Sequence, residues 1–178
     1  MNMRILIVLL LFPVVCLSQK MFVQNSHVDF FSSAPLEDIA AISNQLEGVV
    51  DFDTGNFFFR IPIHTFIFPS SLMQKHFNEK YMESDVYSMS SFKGIFEEKI
   101  TISNNQLVTI NSRGVLNIHG MNQDVQIETE LTINNNQVQF RSEFNVLLQD
   151  YNIKIPKIVR MNIADTILVN VSGNLIIK

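Results

Sequence analysis

Only one cysteine occurs in the sequence, Cys16, and it lies in an N-terminal segment that reads as removable. A mature chain without it has no disulfide and no thiol chemistry, so the fold rests on its core alone. An exported domain built that way resembles bacterial periplasmic proteins more than disulfide-stapled secreted ones. Positive charge is also short. Lys and Arg number 13 against 17 Asp and Glu, a formal net charge of -4. That balance counts against nucleic acid or an anionic membrane surface as partner, since both require a basic patch. Tryptophan is absent, whereas phenylalanine is over-used at 15 residues, which points to a large apolar interior. Long apolar runs are missing apart from "ILIVLLLFPVV", Ile5 to Val15. A membrane-spanning helix needs roughly 20 apolar residues, so this run is too short to cross a bilayer.

Its flanks give that run another meaning. Arg4 precedes it, and Cys16 and Ser18 follow at the small-residue positions of a cleavage site. This is the layout of a secretory signal peptide over 1–18, cleaved near Ser18, which leaves a mature domain over 19–178. The alternative is a lipoprotein signal with Cys16 lipidated, disfavoured by the bulk of Val15. Either way the chain is expected to be exported, periplasmic or secreted. About 160 residues remain, enough for one domain with a substantial core.

Catalytic signatures are missing as well. No G-x-S-x-G elbow, no free cysteine after processing and no glycine-rich phosphate loop occurs. The four histidines, His27, His64, His76 and His119, are scattered. His76 and Glu79 share a helical turn, with Glu83 one turn further on, but a metal site needs three or four converging ligands. No metal, no cofactor and no enzymatic activity is expected.

What is present is alternation with period two. Leu46, Gly48, Val50 and Phe52 share one face, and after a turn at Asp53–Asn56 so do Phe57, Phe59, Ile61 and Ile63. Phe92, Phe96, Ile100 and Ile102 follow, then Val108, Ile110, Leu116 and Ile118. Val125, Ile127, Leu131 and Ile133 form the next face, then Val138, Phe140, Phe144 and Val146. Ile167, Val169, Val171 and Leu175 close the series. With an early strand around "MFVQNSHVDFF" this makes about eight strands. The turns between them, at 103–106, 119–122 and 134–136, are too short for parallel crossovers. The fold class is therefore all-β, an antiparallel meander that closing into an eight-stranded barrel would free of exposed edges. Such a barrel is either filled by its own side chains or just wide enough for one small ligand.

Two helices interrupt the strands. "PLEDIAAIS", 35–43, is expected to be a short helix starting at its proline. "SSLMQKHFNEKYMESD", 70–85, carries Met73, Phe77 and Tyr81 at i, i+4, i+8, an amphipathic stripe suited to covering a barrel end. Polar residues break the inward faces at Glu98, Ser112 and Ser142, beside a bare Gly114. Glu98 is expected either in water at the barrel mouth or paired inside, with Arg60 or a ligand group.

These segments resemble the YceI-like family of bacterial exported proteins. The resemblance is carried by "SHVDF", "LEGVVDFDTGNFFFRIPIHTFIF" and, above all, the helix followed by Glu83-Ser84-Asp85-Val86-Tyr87-Ser88-Met89-Ser90-Ser91-Phe92-Lys93-Gly94. That last stretch is similar to the family's "ESD-x-Y-P-x-[AS]-x-F-x-G", with Ser88 where proline is usual. Gly114 to Val125 is similar to its "G-x-L-T-I-x-G-V-T-x-x-V" hairpin, with Asn122 where threonine is usual. The resemblance covers essentially the whole mature chain and implies a lipocalin-like barrel around an elongated apolar cavity, with a polyisoprenoid or other lipid as ligand in some members. The resemblance does not carry over individual ligand positions; the inward-facing residues themselves make Phe57, Phe59, Ile61, Phe92, Phe96, Phe140 and Phe144 the candidate wall. The gate residues are Met73, Phe77, Tyr81 and Met82, where methionine's flexible thioether suits a variable ligand. The rival expectation is a ligand-free structural or protein-interaction module filled by its own phenylalanines. A third is an isomerase-like enzyme using Glu98 or His64.

Overall fold

The computed structural model describes residues 20–100, 102, 106–134 and 137–177. Residues 1–18, expected to be a signal peptide and including Cys16, and the turn residues 103–105 and 135–136 lie outside the described residues. Nine strands form one antiparallel sheet: β1 (Lys20–Ser33), β2 (Asp38–Ser43), β3 (Glu47–Asp51), β4 (Asn56–Pro62), β5 (Met89–Phe96), β6 (Gln106–Ile118), β7 (Met121–Asn134), β8 (Gln137–Leu147) and β9 (Thr166–Ile177). They follow the order β2-β1-β3-β4-β5-β6-β7-β8-β9, and a further β1–β9 pairing closes the sheet. Eight strands therefore make a barrel, and β2 is added outside the count.

β1 is the splint of this barrel. One edge runs along β9 from Met21↔Ile177 to Phe31↔Leu168. The other is shared, by β3 at Lys20–Phe22 and by β2 from Val28↔Ser43 to Ser33↔Asp38. A bulge between Gln24 and His27, with Asn25 at φ 51°, slips the register. Because side chains alternate faces, one extra residue moves the inward set from Met21 to Ser26, Val28 and Ser32.

The helix expected over 35–43 is instead β2. Its buried positions are Ala41 and Ser43, with Ile39 half-buried between exposed neighbours, a period of two. Small inward residues hid that alternation in the sequence, and the unpaired edge of β1 outweighed the helical preference of Ala40 and Ala41. The other helix is present, though short. α1 (Ser71–His76) is capped by the Ser70 hydroxyl, which accepts the Met73 N–H at 3.4 Å, and it widens into a π-helical turn over Phe77–Tyr81.

Two hairpins show why the strands turn where they do. In the β3–β4 turn the Asp51 carboxylate accepts the N–H groups of Asp53 and Thr54 at 3.0 and 3.2 Å, and Gly55 takes φ +73°. Between β6 and β7 the two-residue loop His119-Gly120 has both φ values positive, 51° and 72°, the backbone that matches strand twist in tight hairpins.

Candidate functional site: an apolar cavity in the barrel

The barrel is not filled by its phenylalanines. A cavity of about 450 Å³ runs through its interior, within the roughly 300–1,000 Å³ usual for small-molecule sites. One end is closed by packed side chains, among them Met21, Val50, Phe52, Phe96, Ile133 and Val138. The other is framed by α1 and its π-turn, the β1–β2 tip around Glu37, and the segment 153–163.

All eleven residues read from the sequence as wall or gate border this cavity: Phe57, Phe59, Ile61, Phe92, Phe96, Phe140, Phe144, Met73, Phe77, Tyr81 and Met82. They fall into two groups. On the wall, rings follow one another from strand to strand, with Phe57 4.8 Å from Phe92 and 5.8 Å from Phe59, and Phe59 5.8 Å from Phe140. These tilted contacts at 4.5–7 Å are the favoured geometry for aromatic pairs. At the open end Phe77 is the centre of a second group. It stacks on Phe30 at 5.6 Å and lies 4.9 Å from Phe68 and 5.9 Å from Phe66. Phe30, Phe66 and Phe68 were not singled out in the sequence. The signal was there in the alternation of "HTFIFPS", but this stretch follows a strand end and reads equally as loop.

The lid formed by α1 and the π-turn is held by the packing of Phe77 and Tyr81 and also by polar contacts, although α1 itself buries no residue fully. Gln74 donates through Nε2 to the Phe66 carbonyl at 2.6 Å and accepts the Phe68 N–H at 3.1 Å. Beyond the π-turn Glu83 takes φ 44° and its carboxylate lies 3.0 Å from Nε2 of His119, whose Nδ1 is 3.1 Å from the Tyr151 carbonyl oxygen. The His119 ring is buried, with Tyr87 edge-on at 4.4 Å. One fastening, at the exit of the lid, thus comes from a hairpin histidine that the sequence placed only in a turn.

The remaining polar expectations resolve differently. Glu83 engages His119 and Glu79 lies 4.0 Å from Lys75, so neither converges on His76. Among the described residues no group of three or more His, Cys, Asp or Glu is placed to hold a metal. Glu98 is not inside. Past the end of β5 it accepts the Asn111 N–H at 2.9 Å and the Glu97 N–H at 3.1 Å, and the Asn111 backbone bond in particular holds its carboxyl below the usual range. Arg60 pairs with Glu47 instead. His64 is exposed on a 3-10 turn. Neither residue named for isomerase chemistry borders the cavity.

Inside, three hydroxyls line a band across adjacent strands. Ser112 is buried on β6, and Thr129 on β7 is bonded to Ser142 on β8 at 2.8 Å. Ser90 also borders the cavity, but its hydroxyl oxygen is buried and has no hydrogen-bond partner among the described residues. Burial raises the Tyr81 phenol above its ordinary value. The interior is therefore apolar with a few fixed hydroxyls, a place for a hydrocarbon and not for a charge.

Comparison with known proteins agrees with this geometry. A polyisoprenoid binding domain from Saccharophagus degradans superposes with a TM-score of 0.78 at 11% identity, covering 90% of this chain and 99% of that one. Burkholderia cenocepacia BcnA gives 0.71 at 15% identity over 84% and 95%. The Campylobacter jejuni YCEI protein gives 0.56 at 14% identity over 74% and 81%. At such identities the likeness is one of fold. No curated protein matches the chain in sequence. The model of the YceI-like domain, however, matches residues 22–175, nearly all of the described barrel, and the chain belongs to that family.

Proposed function

We propose that the protein is an exported carrier that holds one long apolar lipid, of the polyisoprenoid class, in the barrel. The observation that carries this reading is the cavity itself: about 450 Å³ of unfilled space walled by phenylalanine rings inside an otherwise well-packed barrel. Packed interiors rarely leave such voids, and a large empty one is costly. The polyisoprenoid class is supported by what the similar Saccharophagus degradans domain is described as binding. Export is supported by the apolar run Ile5–Val15.

Affinity in this reading comes from burial. Each methylene taken out of water contributes about 0.8 kcal/mol before ordering costs. At roughly 0.3 kcal/mol per heavy atom, a ~40-carbon chain has a ceiling of ~12 kcal/mol, about nanomolar. Chain identity is then read weakly, because the cavity wall is apolar apart from a few hydroxyls. Native mass spectrometry of the protein purified without detergent, followed by solvent extraction, tests this. A stoichiometric adduct that extracts as an isoprenoid lipid supports the reading. An apo mass together with failure to take up added isoprenoids would end it.

A further inference from the structure

The segment 153–163, "IKIPKIVRMNI", frames the cavity mouth and has two faces. Ile155, Val159 and Ile163 border the cavity. The outer side carries Ile158, 90% exposed, and Met161, 55% exposed. Leu36, 66% exposed at the β1–β2 tip, is tied beside them, because its N–H donates to the Met161 carbonyl at 2.9 Å. The arrangement is fixed at two further points, Asn162 Nδ2 to Glu37 at 3.2 Å and the Ala164 N–H to the Ser32 hydroxyl at 2.9 Å. An isoleucine standing almost free in water beside two other exposed apolar side chains gains nothing from the fold.

Charge gives this patch a direction. Lys154, Lys157 and Arg160 are all exposed within the same segment, which contains no acidic residue. Among the described residues none of the three forms an ion pair. A chain of net charge -4 thus concentrates three cations around an apolar tip at the mouth of its cavity. Acids also stand around the patch: Glu37, which keeps its charge while accepting from the Asn162 amide, and Asp38 follow Leu36, and Asp150 and Asp165 flank the segment in sequence. The three cations are thus concentrated on the outer face of 153–163 itself. The overall charge concealed this, since a surface interaction responds to the local field and not the total.

We infer that the outer face of 153–163, with Leu36, docks the barrel mouth on a bilayer of anionic phospholipid, where Ile158 and Met161 enter the interface and Lys154, Lys157 and Arg160 meet the headgroups. Apolar tips ringed by cations are the chemistry of interfacial binding. The inference rests on the cavity being a lipid site, because docking there lets a lipid pass between bilayer and barrel without crossing water. It gives the exposed face of the segment a role that enclosing the cavity does not require.

The test is vesicle flotation of the full mature protein with phosphatidylcholine vesicles containing phosphatidylglycerol, against pure phosphatidylcholine, at low and high salt. Wild type is expected to float with the anionic vesicles and to be released by salt. Each cation near an anionic surface contributes about fivefold to partitioning, so Lys154→Glu with Lys157→Glu and Arg160→Glu should lower it at least tenfold. Ile158→Ser alone should lower it several-fold without changing the salt dependence. Thermal midpoints close to wild type show that the variants fold. Wild type that floats with neither vesicle, or variants that float equally well, overturn the inference and leave the cations to an acidic protein partner. Uptake of isoprenoid from solution, read by native mass spectrometry, separates the two readings. Variants that keep uptake but lose flotation support docking. Flotation by a wild type that takes up no lipid overturns lipid passage at the mouth together with the carrier reading.

Discussion

Replacing Phe96 with alanine probes the boundary between core and cavity. The side chain is 4% exposed, belongs to the packed closed end, and lies 5.8 Å from the ring of Phe52. Buried Phe→Ala changes cost about 3–5 kcal/mol, of which an aromatic pair supplies about 0.5–1.5. One side of Phe96 already borders empty space, where there are no contacts to lose. The expected cost is therefore at the lower end, about 3 kcal/mol, or about 6–12 °C in thermal midpoint for a domain of this size. Phe77→Ala supplies the contrast. Its ring is part of the lid and half-buried, so its loss should cost no more than about 2 kcal/mol while weakening lipid retention more than Phe96→Ala does. Urea unfolding with an unchanged slope measures the first quantity, and native mass spectrometry the second. Equal costs at the two sites, or a Phe96→Ala cost under about 1 kcal/mol, would refute the division into packed floor and adaptable lid.

Two further perturbations address the polar contacts. His119→Ala strands the Tyr151 carbonyl and frees Glu83, and should cost about 1–3 kcal/mol. The loss should appear as faster hydrogen exchange at Met82, Val86 and Tyr87, whose amides are bonded within the lid and its exit; unchanged exchange there would remove His119 as a fastening. For Glu98, the carboxyl is held below its ordinary value in the fold, so the stability it adds is complete above about pH 4.3 and is lost as pH falls through the lowered value. Glu98→Gln should leave the pH dependence unchanged from neutrality to about pH 5 and flatten it below; urea midpoints across that range check this.

Much of the barrel was legible because burial on one side imposes alternation, and β3 to β9 carry it with large residues such as Phe57, Phe140 and Leu175. Where the inward residues are small, as at Ala41 and Ser43, alternation carries too little contrast and β2 read as helix. Residues lining the cavity were legible for the same reason as the core, since a wall ring and a core ring look alike in one dimension. What periodicity does not carry is pairing across the chain. The union of Glu83 with His119, or of Leu36 with Met161, depends on where the hairpins land.

The splint made by β1 also dictates an order of events. Its long edge is completed only by β9, so the barrel closes through contacts between the first and last described strands. Loop-closure entropy for such a pairing is met late, after the local hairpins from β3 to β9 have formed. Until then the meander is a curved sheet with two open edges and an uncovered apolar face. The chain is thus most exposed to misassociation just before β1 and β9 join, and β2, laid along the spare edge of β1, blunts one of the places where a second copy would pair.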